Sequence, residues 1–208
     1  MIPIRFPHSR NCAPLWALLL FALLPAVPQS WGQSASAPAD PLMIYGDMTR
    51  KTVLHGPVRR LPDTVLSRMI SERTKATDIL NEELAKQGLK LVADGDRFVQ
   101  ILPESDGQKP RTSALFPGTN NATAANETID LPSIDLNTFL GVFEGVSGRI
   151  ILRPTNLPPV TVSLHSTTPL THDELMHAFC VVLSLNSFDA APEGDKSIRI
   201  TYRAAPKK

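Results

Sequence analysis

Asp94-Gly-Asp-Arg-Phe-Val-Gln-Ile101 and Glu193-Gly-Asp-Lys-Ser-Ile-Arg-Ile200 decide the fold, because each reads as the turn and closing strand of a β-hairpin and each matches the other. An acid, a turn glycine, a second acid, a base and two apolar residues in alternation follow in one order. A polar turn leading into a half-buried strand requires that order. Further matches lie upstream at a nearly constant offset. Leu61-Pro62 answers to Leu157-Pro158, Thr52-Val-Leu54 to Ile150-Ile-Leu152, and Met43-Ile-Tyr45 to Gly141-Val-Phe143. Chance supplies one such block easily, whereas four in the same order point to an internal duplication.

In the second repeat each element carries its own signals. Asp135 is placed as an N-cap, with Ile134 and Phe139 as a hydrophobic staple, and Leu136, Phe139, Leu140, Phe143 and Val146 share one helical face that ends around Gly145 and Gly148. Arg149 to Arg153 and Val160 to Leu164 read as strands, with an opening strand at Thr128 to Leu131. Thr171-His-Asp-Glu174 is a capping box, stapled by Leu170 and Leu175. The helix that it opens carries Leu175, Phe179, Val182 and Leu183 as a buried stripe, and the hairpin from Phe188 to Tyr202 follows.

In the first repeat, periodicity and duplication disagree. Asp63 to Lys86 has the spacing of one amphipathic helix, through Val65, Leu66, Met69, Ile70, Leu80 and Leu84. Its counterpart, Val160-Thr-Val-Ser-Leu164, alternates and is β-branched. The repeat therefore predicts a strand over Thr64 to Met69 and a helix from near Thr74. No opening strand is evident before Pro41, so the first repeat reads as incomplete, or as borrowing a strand.

The fold class expected is α+β, in two tandem modules each with two helices on small sheets. The first occupies 38–104 and the second 128–203, joined by a flexible linker at 105–127 rich in Ser, Thr, Asn, Gly and Pro, with a tail at 204–208. Such modules are expected to reorient. Residues 1–32 read as a secretory signal: Arg5, His8 and Arg10 precede the apolar run Leu15 to Val27, and the first acid is Asp40. At 13 residues the run falls below the roughly 18 to 20 of a spanning helix, with retention as an inner-membrane anchor the alternative. Ser30-Trp-Gly32 before Gln33 is the preferred cut, ahead of Ala35-Ser-Ala37, and cleavage takes the formal charge from +1 to −1 and removes Cys12.

The chain has 21 Lys and Arg against 20 Asp and Glu, so no field of one sign draws nucleic acid or anionic lipid. Cys180 lies among Phe179, Val181, Val182 and Leu183, the setting of an inert buried thiol. Asn121-Ala-Thr and Asn126-Glu-Thr spell sequons that a bacterial source leaves silent. Gly46 to Thr52 has the outline of a phosphate loop, but Arg50 stands where glycine should precede Lys51 and a strand follows in place of a helix. His172 and His177 are five apart, about 140° around a helix, whereas zinc pairs use i, i+4. Asp173 and Glu174 fall in a first helical turn, where acids serve caps and the dipole, and His55 and His165 gain no partner from spacing. No catalytic, cofactor-binding or metal residue is assigned, no cofactor is expected, and the chain reads as a non-enzyme.

With its elements in place, the second repeat resembles the short N-terminal domain shared by bacterial secretins and TonB-dependent receptors. Ile134-Asp-Leu-Asn-Thr-Phe-Leu140, Gly148-Arg-Ile-Ile-Leu-Arg-Pro154, Val160-Thr-Val-Ser-Leu164, Pro169-Leu-Thr-His-Asp-Glu-Leu175 and Ser197-Ile-Arg-Ile200 carry the likeness, and the first repeat shares it more weakly. The resemblance implies a periplasmic binding module of a type II secretion or pilus-type export system. Its partners would be proteins of that machinery or the chain itself, with no nucleic acid and no membrane insertion after leader cleavage. The alternative is a sensory or signal-relay module of the TonB-receptor type that binds a partner or a small ligand. Secretins continue into ring domains and a membrane barrel, and the sequence as read ends at Lys208, so no pore is expected of it alone. Contact is expected through sheet edges and helix faces, with the closing hairpin of each repeat as the edge and Phe98-Val99 the more adhesive.

Overall fold

The Asp40 carboxylate accepts from Leu42 N–H at 2.9 Å, and Pro41, which has no N–H to leave unpaired, fills the first helical position. The helix so begun, α1 (Pro41–Thr49), ends at Arg50 with φ 56°, and β1 (Thr52–His55) follows. Gly46 therefore sits inside a helix, not in a loop. Then come α2 (Asp63–Ser71), a 3-10 turn (Arg73–Lys75), α3 (Ala76–Ala85), β2 (Leu89–Asp94) and β3 (Phe98–Pro103). The second repeat runs β4 (Asp130–Asp135), α4 (Leu136–Ser147), β5 (Ile150–Leu152), β6 (Thr161–His165), α5 (His172–Leu185), β7 (Phe188–Glu193) and β8 (Ser197–Tyr202). This is a computed structural model that describes residues 40–106, 111 and 127–203. The leader read at 1–32, most of the linker read at 105–127 and the tail at 204–208 lie outside the described residues.

The class is mixed α+β, and the described residues form three small sheets ordered β1-β3-β2, β4-β6 and β5-β8-β7. The two three-stranded sheets share one topology. In each, the first strand lies parallel to the last (Thr52 opposite Phe98, Ile150 opposite Ser197), and the hairpin is antiparallel. Gly95 and Gly194 hold the two turns at φ 65° and 67°, a region that L side chains disfavour.

Two expectations fail here. Thr64 to Met69 is not a strand, since α2 spans it with Val65 and Met69 buried. In the second repeat β6 gains its ladder by pairing with β4 (Leu131 opposite Leu164, Ile134 opposite Val162). Among the described residues the first repeat has no counterpart of β4. A segment without a ladder partner satisfies its backbone internally as a helix, and the apolar spacing of 65, 66 and 69 suits that. The closing strands are not edges either. β3 and β8 are central because β1 and β5 pair outside them, so proline at Val99 would remove a donor inside a ladder.

The helix signals of the second repeat hold. Asp135 caps α4 by accepting from Thr138 N–H at 3.0 Å, Gly148 ends it at φ 62°, and both halves of the Thr171–Glu174 capping box are formed. Phe139, Phe143 and Phe179 are fully buried, with Phe179 at 4.8 Å and 5.2 Å from the other two ring centroids. Replacing Phe179 with Ala should cost about 3 to 5 kcal/mol in urea unfolding. A loss under about 1 kcal/mol would mean that the aromatic cluster does not hold this core.

The first sheet explains how the repeats relate. Val53 and Ile101 face a core closed by Val65, Met69, Ile79, Leu80 and Leu84 of α2 and α3. Leu54 and Phe98, on the opposite face, belong to the core of the second repeat. Thr52, Gln100 and Leu102 on that face are 0% exposed. The described residues thus pack as one compact unit, where the sequence suggested modules free to reorient. Gly56 marks a close approach, since a Cβ there would stand 2.5 Å from Leu185 O at the end of α5. Gly56→Ala should therefore lower stability by about 1 to 3 kcal/mol and increase hydrogen exchange in β1 and α5 together. Unchanged exchange in both elements would mean the contact is dispensable.

Candidate functional site

No catalytic set was assigned from the sequence, and the polar groups that the fold gathers lie along the seam between the repeats. α5 has two working faces. Phe179, Val182 and Leu183 are buried in the core of the second repeat, while His177 reaches the first sheet. His177 Nε2 meets Asp94 Oδ2 at 2.7 Å, and its ring packs on Phe98 at 5.3 Å between centroids. The fully buried Gln100 donates to the same carboxylate at 2.7 Å and grips Arg111 through both backbone groups, at 2.7 and 2.8 Å. Arg111 reaches on to Ser184 O at 2.6 Å, where Arg203 also donates at 2.9 Å. Two guanidinium groups thus share the Ser184 carbonyl in the last turn of α5, the negative end of the helix.

The seam is fastened at its other end by Arg97. Its guanidinium donates to Pro169 O and to Thr168 Oγ1 (3.0 Å), and lies 3.4 Å from Glu174. Glu174 thus closes its capping box and binds the other repeat. His165 stands between Asp130 at 3.1 Å and Asp47 of α1 at 3.9 Å, a link absent from spacing alone. His172 Nε2 lies 3.0 Å from Val146 O, and Asp173 is exposed beside it. The two histidines of α5 therefore serve different neighbours. Burial pushes the Cys180 thiol up to about 12, which leaves it protonated. Gln100 was the overlooked signal, a lone amide inside Phe98-Val-Gln-Ile-Leu102.

Burial alone would raise the Asp94 carboxyl, but hydrogen bonds from His177 and Gln100 outweigh it and hold the group below its ordinary value. A carboxyl lowered by folding stabilises the fold above the pKa of the unfolded chain, about 4, and that contribution is lost as pH falls through the lower folded value. Asp94→Asn should lower the urea midpoint at neutral pH, with the gap from the parent closing between about pH 5 and 3. A gap that persists in acid would place the effect in packing and not in charge.

Beyond the seam, two of the sheet edges, β2 and β7, are blunted. Asn81 Oδ1 takes the Leu91 N–H of edge strand β2 at 3.0 Å, and edge strand β7 contains Pro192, which has no N–H. Two open faces remain. The outer side of sheet β5-β8-β7 carries Ile150, at 57% the most exposed large apolar residue described, with Arg199 and Thr201 exposed beside it. The outer side of α3 carries exposed Asp78, Glu82 and Ala85. Among the described residues no three His, Cys, Asp or Glu groups cluster to hold a metal, and no helix is long and apolar enough to cross a membrane. Comparison with known protein families and with curated proteins finds no match to this chain.

Proposed function

We propose that this chain is an exported, non-enzymatic protein-interaction module of the secretin N-terminal type, working in the periplasm as part of, or accessory to, a type II secretion or pilus-type export system. The observation that carries this reading is the second repeat. Its order β4, α4, β5, β6, α5, β7, β8 places an element on each block that bears the resemblance, from Ile134 through Ile200. Asn81 and Pro192 blunt edge strands β2 and β7, which favours faces over those two edges as the surfaces for a partner. The apolar run Leu15 to Val27 supplies the export signal.

Photo-crosslinking in native cells tests this, with the crosslinker placed at Thr201 on the open sheet face. The expected products are adducts with a secretin or an inner-membrane secretion component, in a periplasmic fraction whose chain begins at Gln33. A chain confined to the cytosol, or periplasmic protein that never crosslinks to such components from either open face, would remove the reading.

A further inference from the structure

The seam joins residues 40–111 to residues 127–203. Its apolar part is Leu54 and Phe98, which enter the core of the second repeat. Its polar part is His177 on Asp94, Arg97 on Thr168, Pro169 and Glu174, and Arg111 on Ser184. Arg111 is thus anchored in the last turn of α5, while Glu127 pairs with Leu170 just ahead of its first turn. A helix of 14 residues is about 21 Å long. The 15 residues between Arg111 and Glu127 reach about 50 Å when extended. That link is long enough to join two halves seated in one seam or in two different ones.

We propose that the same seam also forms between two copies of this chain. The first-sheet face of one copy receives α5 of the other, and the second copy returns the contact, which gives a closed, domain-swapped dimer. Every pairing of the seam is kept in such a dimer, Arg97 against Glu174 and Asp94 against His177, and Leu54 and Phe98 stay covered. Monomer and dimer then differ only in how the halves are linked and in what association costs. A link of 15 residues holds the two halves of one chain at an effective concentration on the order of millimolar. The monomer therefore prevails in dilute solution, and the swap forms where the seam closes at high protein concentration. The dimer uses the seam and leaves the open faces free, so it holds independently of the export reading.

Refolding of the full chain from urea, followed by sedimentation velocity, tests the proposal. Refolding at high protein concentration should give a dimer that persists on dilution, because its release requires the seam to open, and refolding at low concentration should give monomer. Deleting 113–126 leaves one residue between Arg111 and Glu127, a reach of about 7 Å that falls well short of the length of α5. A chain so shortened cannot close its own seam, and it should be dimeric at every concentration with slow hydrogen exchange kept in β3 and α5. A protease site set within 113–126 of the full chain gives a second readout that does not depend on the shortened chain folding. After cleavage of the folded protein the halves should stay together through gel filtration and exchange with the halves of a second, tagged population. Arg97→Glu, which sets like charge against Glu174, should weaken that hold at least about tenfold. A shortened chain that folds as a monomer, or cleaved halves that separate or never exchange, would overturn the proposal. Crosslinking to secretion components would be untouched by that failure, so the two readings fall separately.

Discussion

A three-stranded sheet with apolar side chains on both faces needs two covers, and the arrangement of this protein follows from supplying them. Val53 and Ile101 are covered by α2 and α3 of the same repeat, and Leu54 and Phe98 by the second repeat. At roughly 25 cal/mol per Å² of apolar surface, leaving that second face open would forfeit several kcal/mol, a large part of the stability of a small domain. The seam is therefore a packing requirement of the first sheet before it is anything else.

The polar groups of the seam decide which packing satisfies that requirement. Gln100 lies wholly inside, where an unpaired amide is costly, and it is satisfied only when Asp94 and the backbone of Arg111 are both in place. Asp94 in turn meets His177 across the seam, and Arg97 meets the cap of α5 from the other end. A slip of the repeats would break several of these contacts at once, so register is fixed by hydrogen bonds while burial supplies the driving force.

The two three-stranded sheets are alike in topology and unlike in surface. Both have the same parallel-plus-hairpin pairing, yet the outer face is apolar in the first, with Phe98 and Leu102, and polar in the second, with Ser197 and Thr201. The last helix is buried on two sides in the second repeat and on one in the first, where Asp78 and Glu82 meet water. Polar outer faces keep a stack of repeats soluble at its ends.

Local features can be read from the chain alone. The hairpin turns at Gly95 and Gly194, the caps at Asp135 and Thr171, the face of Phe179 and the buried thiol of Cys180 are all legible, because each depends on residues a few positions apart. The likeness between the two halves of the sequence misled at Thr64 to Met69, where the counterpart is a strand that pairs with β4. What depends on distant partners could not be read. The parallel pairing of β1 that makes β3 central, the meeting of His177 with Asp94, and the second cover over Leu54 and Phe98 join residues far apart in the chain. Periodicity reports which face of an element is apolar and says nothing of which other surface will cover it; only the tertiary structure decides that, by which packing buries both faces of the first sheet and leaves Gln100 paired.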